Sequence, residues 1–320
     1  MNLDSLQSLE GVVDVTVHHP AGTPRGWLLV EVPHGATRTA DYERLAARLR
    51  GRLPTELIHF FYVNTDIGAP EAGTQLARQL CADGFGVVVA RCLLPRTFID
   101  TNRVIDRSAD GKVKAGLTPG IPGYVKDEVD RALLEALHAR YHGVVEKTYA
   151  LVCGELNGLA LQLHSYAPRS VGIEATDDNI VEALHAAYVP ETYAKWPERP
   201  QVDLITATQD GSFRCAPGLV AALKANFEAA GYPAQENATY HLHPVTMGMA
   251  YAKAWPDRVL CVELSRGLLA DPFVPFGESP ISLEAAGKLA APMAATVRAA
   301  LAGRALKAHL QSMPAVGTDS

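Results

Sequence analysis

The sequence lacks the features of membrane, secreted and nucleic-acid-binding proteins. No stretch approaches the roughly 18 uninterrupted apolar residues of a membrane-spanning helix. The N-terminal segment has neither the basic nor the apolar region of a secretory signal. The formal net charge is −6 and the pI is about 6.0, so a concentrated basic surface for phosphate groups is not expected. We therefore expect a cytoplasmic protein that binds neither membranes nor nucleic acids.

Cysteine is also scarce, and its few positions form no recognisable pattern. The five cysteines are odd in number, widely spaced and mostly set in apolar runs: Cys81, Cys92, Cys153, Cys215 and Cys261. This arrangement suits buried, reduced thiols better than a disulfide framework or a cysteine-rich zinc site.

What remains is the composition of a globular protein. Of the 320 residues, 48% are hydrophobic and 20% are charged, so a sizeable core can form. No internal repeat or linker is evident. We expect a single domain over residues 1–310 and a polar, flexible tail over residues 311–320.

Apolar runs alternate with helical patterns, which predicts βαβ units around a mostly parallel sheet. The predicted strands cover residues 12–17, 27–32, 57–63, 86–90, 159–163, 202–208 and 259–264. The predicted helices cover residues 41–49, 71–81, 125–152, 218–230 and 283–301. In open sheets of this kind, ligands bind beyond the carboxyl ends of the strands. The residues that follow each strand are therefore the candidates for a site.

Four polar side chains occupy such positions: His34, Asp66, His164 and Glu263. A zinc hydrolase needs two or three nitrogen or oxygen ligands, an open position for water, and a carboxylate that accepts a proton. Two histidines and an acid as ligands, with a second acid as base, would complete that set. Each histidine also fits a turn or a hydrogen-bonded core position, and Asp66 fits a helix N-cap. For Glu263 a functional role is the favoured interpretation. Burying an acid in an apolar run costs free energy unless a cation, a metal or a hydrogen-bond donor compensates its charge.

A second polar group lies in the segment RTFIDTNR at residues 96–103. Arg96 and Arg103, with Asn102 between them, suit a pocket for an anionic substrate because arginine can grip a carboxylate through two hydrogen bonds. A solvated loop with internal salt bridges is an equally good interpretation. Arg266, two residues after a predicted strand end, has the same ambiguity.

Five motifs occur together in a familiar order: PHG at 33–35, NTD at 64–66, RTFIDTNR at 96–103, LHSYAP at 163–168 and VELSR at 262–266. With them, the chain resembles the N-formylglutamate amidohydrolase family from about residue 27 to residue 305. That family belongs to a wider group of zinc carboxypeptidase-like and aspartoacylase-like enzymes. The resemblance implies a three-layer α/β/α fold with a central mixed, mostly parallel sheet, of the phosphorylase/hydrolase-like kind.

The resemblance also implies roles for individual residues. His34 and His164 would be ligands of one zinc ion, and Glu263 would be the general base that activates water. Arg96 would stabilise the oxyanion. The substrate carboxylate would be held by Asn102 and Arg103, with Arg266 as a further substrate-binding candidate.

The chain departs from the wider group at the third metal ligand. The zinc carboxypeptidases have a glutamate three residues after the first histidine, where this chain has Thr37. Asp66 is therefore the candidate third ligand and Glu71 the fallback. The segment at residues 241–251 also departs from the family, and His241 and His243 would share one face if it were a strand. His243 is thus a candidate for contact with substrate.

The function implied is a zinc-dependent amidohydrolase. It would cleave the amide bond of a small N-acyl, N-formyl-like amino acid that carries a free carboxylate. The alternatives are a zinc carboxypeptidase or deacylase that acts on peptide-like substrates, and a non-enzymatic module that binds carboxylates. Histidine and carboxylate ligands also suit iron, cobalt and manganese.

Overall fold

The computed structural model describes residues 3–105, 117–173 and 175–312, and a seven-stranded sheet organises this part of the chain. Its strands lie in the order β1-β3-β2-β4-β7-β5-β6. Their bounds are β1 (Val13–His18), β2 (Trp27–Val32), β3 (Gly86–Cys92), β4 (Leu159–Tyr166), β5 (Val202–Ile205), β6 (Ala234–Glu236) and β7 (Val259–Ser265).

Most of the ladders are parallel, as the sequence predicts. Strand β2 pairs in parallel with β3 and β4, β4 with β7, and β5 with β6. The β1–β3 and β5–β7 ladders are antiparallel. Every residue of β2 and of β4 is buried, because both faces of a parallel sheet are covered. The predicted mixed, mostly parallel sheet is therefore confirmed.

Helices cover both faces of the sheet. Their bounds are α1 (Thr39–Ala46), α2 (Ile58–Asn64), α3 (Ala69–Ala82), α4 (Glu128–Tyr149), α5 (Ile180–Ala187), α6 (Pro190–Tyr193), α7 (Pro217–Ala229), α8 (Met247–Ala254) and α9 (Leu283–Ser312). A π-helical turn, Ala150–Glu155, follows α4. Among the described residues, none of these helices combines the length and apolar character needed to cross a bilayer.

Two separate apolar clusters place the helices in two layers. On one face, Leu28 and Val30 of β2 share a cluster with Leu76 of α3 and with residues of α7 and α9. On the other face, Leu29 of β2 shares a cluster with Leu134 of α4 and with residues of α2, α5 and α8. The predicted three-layer α/β/α architecture is confirmed.

One predicted strand is wrong. Residues 57–63 were expected to be extended, yet Ile58–Asn64 is helix α2. A short, mostly apolar run of seven residues has no clear periodicity that distinguishes a buried strand from a buried helix. Here Phe60, Phe61 and Tyr62 are buried in the helix. Asp66 consequently follows a helix and not a strand.

Two further differences concern loops and the C-terminus. Residues 241–243 form no strand, so the condition under which His241 and His243 would share a face is not met. Residues 311 and 312 of the predicted tail belong to α9, while 313–320 lie outside the described residues.

The five cysteines are free thiols, and four of them are buried.

Candidate functional site

Three side chains from distant parts of the sequence converge at the carboxyl ends of β2 and β4. A single carboxylate oxygen, Oδ2 of Asp66, lies 3.2 Å from Nδ1 of His34 and 2.9 Å from Nδ1 of His164. The two imidazole rings have centroids 5.0 Å apart. All three side chains are buried, with exposures of 3%, 2% and 5% for His34, Asp66 and His164. These are the three donors that the sequence singles out as metal ligands.

The local backbone fixes these positions. His34 lies in the turn after β2, next to Gly35, where a Cβ atom would come within 2.6 Å of the Arg91 side chain. Only glycine fits that approach without a shift of the neighbour. The backbone N–H of Asp66 donates to the carbonyl of His34 at 3.3 Å. His164 is held within β4 itself.

The second nitrogen of the His34 ring contacts another carboxylate. Nε2 of His34 lies 2.8 Å from Oδ1 of Asp100. Asp100 also accepts from Nε of Arg96 and from the backbone N–H of Asn102, both at 2.9 Å, and lies 3.5 Å from Arg103. Burial raises the pKa of Asp100, but the two arginines and His34 outweigh it and hold the pKa well below its ordinary value. An ionised Asp100 accepts the Nε2 proton of His34, so Nδ1 is the ring nitrogen that can bind a metal ion once it has lost its own proton.

The second nitrogen of the His164 ring contacts an amide whose orientation is also fixed. Nε2 of His164 lies 3.2 Å from Oε1 of Gln162, whose Nε2 donates to Glu31 at 3.0 Å. Glu31 is fully buried and accepts further hydrogen bonds from Tyr141 and Tyr149, each at 2.8 Å. Because the Gln162 amide nitrogen is directed to Glu31, its oxygen accepts the Nε2 proton of His164. Both imidazoles therefore present Nδ1 to the same point.

The donor set fits a metal ion of the kind that the sequence predicts. The ligand atoms of His34, Asp66 and His164 lie within 4.8 Å of one another and come from two imidazoles and a carboxylate. Burial raises the pKa of Asp66, but His34 and His164 outweigh it and keep the carboxylate ionised. Three protein ligands of this type, with each outer ring nitrogen already hydrogen-bonded, are typical of a catalytic metal site.

Glu263 stands next to this group. In the β4–β7 ladder it is the partner of His164, so the two side chains point to the same face of the sheet. Its Oε2 is shielded from solvent and has no hydrogen-bond partner among the described residues. Burial raises the pKa of Glu263 to about 7, against an opposing effect of His164. A carboxylate with such a pKa is suited to accept and return a proton near neutral pH.

These side chains line a cavity of about 240 Å³. Its wall carries an excess of positive charge: among the described lining residues, arginines at 96, 103, 169, 199 and 266 face carboxylates at 66 and 263. Arg266 is buried, with 3% exposure, and its Nε has no partner in the described part of the chain. Arg103 is buried too, and donates to the carbonyls of Thr118 and Asn102. The cavity is therefore suited to a small anionic ligand.

Most of the candidates from the sequence meet at this cavity, and two do not. Arg96, Asn102, Arg103 and Arg266 line it, as does His241. Glu71 instead forms an ion pair with Arg38 at 2.7 Å and is not part of the three-residue group. His243 is not among the lining residues, and its Nδ1 accepts from the backbone N–H of Val245 at 3.3 Å.

Sequence reasoning did not assign roles to several residues of the site. Glu31 and Gln162 are polar residues inside apolar strands, which is the same signal that singled out Glu263. Asp100 lies between the two arginines of the segment at 96–103. Arg199 lines the cavity and packs over the rings of Tyr166 and Tyr240, at 5.2 and 5.6 Å from their centroids. Nothing in the local sequence distinguishes Arg199 from other loop arginines.

Comparison with known families places the chain among amide-hydrolysing enzymes. The model of one protein family, described as N-formylglutamate amidohydrolase, matches residues 27–269, which is well over half of the chain. No curated protein is similar enough in sequence to count as a relative.

Several solved structures resemble this chain at low sequence identity. The N-formylglutamate amidohydrolase from Ralstonia eutropha is 20% identical, with a TM-score of 0.51, over 89% of this chain and 99% of that one. A gene product from Agrobacterium tumefaciens is 18% identical, with a TM-score of 0.52, over 95% of this chain and 99% of that one. Carboxypeptidase A from Helicoverpa armigera is 7% identical, with a TM-score of 0.46, over 94% of this chain and 70% of that one. At the identity of the first two, the likeness concerns the fold alone.

Proposed function

The chain belongs to the N-formylglutamate amidohydrolase family, and we propose that it is a zinc-dependent enzyme acting on a small N-acyl amino acid. The family assignment makes it an amidohydrolase. The zinc ion, the N-formyl-like acyl group and the free carboxylate of the substrate are the parts that we propose. The observation that carries the proposal is the single oxygen of Asp66 between two Nδ1 atoms, on the wall of a cavity that also contains Glu263.

His34, Asp66 and His164 are the proposed zinc ligands. When bound, a zinc ion polarises a carbonyl group and lowers the pKa of water to about 7. Asp100 and Gln162 hold the two imidazoles in the tautomer that offers Nδ1. These partners keep the donor atoms in place before any ion arrives, so little reorganisation accompanies binding.

Glu263 is the proposed general base and acid. Its carboxylate takes a proton from water as the oxygen attacks the amide carbon, and it then returns that proton to the leaving amine nitrogen. Burial raises the pKa of Glu263 in the metal-free protein, and a cation in the site would lower it again, so the carboxylate is ionised and able to accept the proton. Arg96, held by Asp100 through Nε, contributes fixed positive charge toward the oxyanion.

The substrate carboxylate is proposed to bind on the arginine-rich side of the cavity. Arg266 lines the cavity, and its guanidinium charge would attract a carboxylate there. Asn102 and Arg103 line the same cavity. A volume of about 240 Å³ lies below the range of about 300–1,000 Å³ that is common for pockets of drug-sized ligands. The size favours a single amino acid derivative over a peptide.

The test has two parts. Purified full-length protein is incubated with N-formyl amino acids, N-acetyl amino acids and short peptides, and the products are identified by mass spectrometry. We expect release of formate from N-formyl substrates, and a release of terminal residues from peptides alone would refute the small-acyl proposal. Metal analysis of the purified protein is expected to find zinc, and Asp66→Asn is expected to bind one equivalent less. Protein without zinc that gains no activity from added metal would refute the zinc proposal.

A further inference from the structure

A second group of metal-binding side chains lies outside the proposed catalytic residues, where α2 meets α5. Glu56, His59 and His185 each offer one ligand atom, and these atoms lie within 4.8 Å of one another. His59 belongs to α2 and His185 to α5, while Glu56 lies two residues before α2. The amidohydrolase mechanism uses none of the three.

The two imidazoles face each other closely. Nδ1 of His59 lies 2.9 Å from Nε2 of His185, and the ring centroids are 5.1 Å apart. Phe276 packs against both rings, with centroid distances of 5.4 and 4.9 Å, and so restricts their orientation. With zinc–nitrogen bonds of about 2.0–2.1 Å, two ligands of a tetrahedral ion lie about 3.4 Å apart. The rings would need to separate by only about 0.5 Å to admit a cation.

Glu56 supplies negative charge at this point. Its φ of 55° lies in the left-handed region that non-glycine residues seldom adopt. The side chain is exposed, and both histidines are half-buried. A cation bound by the three would therefore keep positions open to water, and the carboxylate would neutralise part of its charge.

We propose that Glu56, His59 and His185 bind a divalent transition-metal cation with an affinity for imidazole, of the zinc, nickel or copper type. This site is separate from the cavity site and does not depend on the proposed function. Both helices that it joins contribute to the cavity wall, through Phe60 and Val63 of α2 and Leu184 of α5. The bound cation would therefore link two helices that each form part of the cavity wall.

The test is a titration of metal-stripped, full-length protein with Zn²⁺ by calorimetry, with bound metal counted by elemental analysis after dialysis. We expect His59→Ala and His185→Ala each to bind one equivalent fewer than the wild-type protein. Glu56→Gln should bind the same equivalent more weakly. The matched control is His19→Ala, which changes an exposed histidine elsewhere and should leave the count unchanged. The difference of one equivalent is diagnostic whether or not the cavity site also binds zinc.

A second measurement distinguishes the loss of a metal site from a folding defect of the variant. The circular dichroism spectrum and melting temperature of each variant are recorded in chelator, and His185→Gln replaces any alanine variant that is unfolded. Added Zn²⁺ should raise the melting temperature of the wild-type protein further than that of His185→Ala or His185→Gln. Equal stoichiometry in wild-type and folded His185 variants would overturn the proposal and leave only an imidazole–imidazole hydrogen bond. The proposal would also be overturned if His19→Ala lost one equivalent of bound zinc.

Discussion

Replacement of Glu263 by glutamine should impair catalysis and stabilise the fold at the same time. Glutamine has nearly the shape of glutamate but cannot accept a proton. If Glu263 is the general base, turnover should fall by about 10²–10⁴. The same change removes a carboxyl group that is ionised at pH 8 although its Oε2 is shielded from solvent and unpartnered. The metal-free protein should therefore become more stable.

The magnitude and the sign follow from the pKa of Glu263, which is raised from 4.5 to about 7 in the folded protein. The folded state binds this proton more tightly than the unfolded state does. Its contribution to stability is thus fully present below pH 4.5 and is lost as the pH rises through about 7. A rise of this size corresponds to about 3 kcal/mol. The stability advantage of Glu263→Gln over the wild-type protein should grow by up to about 3 kcal/mol between pH 4.5 and pH 8.

The assay is urea unfolding of chelator-treated protein at pH 5, 6.5 and 8, combined with steady-state kinetics of the zinc-loaded protein. Glu228→Gln, an exposed position on α7, is the matched control and should show no such pH dependence. The experiment uses metal-free protein because a cation beside the carboxylate would favour its ionised form. A stability difference that stays constant from pH 5 to pH 8 would refute the electrostatic reasoning. Unchanged turnover would remove Glu263 from the mechanism.

Three further predictions concern the metal site and the substrate. Gln162→Leu should weaken zinc binding by about 10–100-fold, because Nε2 of His164 loses its hydrogen-bond acceptor. Competition with a chelator measures the affinity, and an affinity within twofold of the wild type would show that Gln162 does not orient His164. Asp66→Asn should lose the zinc of the cavity site in elemental analysis while Glu71→Gln keeps it, and the reverse result would make Glu71 the third ligand. Arg266→Gln should raise KM for N-formyl amino acids far more than for their carboxamides, so an equal rise for both substrates would show that no carboxylate binds there.

The sheet could be predicted from the sequence because its central strands are short, mostly apolar runs. Strands β2, β4 and β7 are buried on both faces, and their sequences read accordingly. Helix α2 was missed for the same reason, since the run at 57–63 is also mostly apolar and its length fits either structure. Tertiary packing of Phe60 and Phe61 decides between them.

The candidate site could be predicted where a polar residue interrupts an apolar strand or directly follows one. Glu263 in an apolar strand and His34 after a strand both drew attention on that basis. Asp66 was expected after a strand and instead follows helix α2, yet it lies beside both histidines, so the convergence does not depend on the predicted strand. The contacts of Asp100, Gln162 and Glu31 depend on side-chain pairs between segments far apart in sequence, and no local pattern reveals them.

Because His34, Asp66 and His164 lie far apart along the chain, a metal ion bound at the proposed site would couple metal uptake to folding. Asp66 and His164 are 98 positions apart, and the β2–β4 ladder must pair before the two histidines face one another. An unfolded chain has no preformed three-ligand site, so a cation that binds there stabilises only the assembled sheet. Protein synthesised under zinc limitation should consequently accumulate to lower levels, because the cell's proteases act on the fraction that has opened.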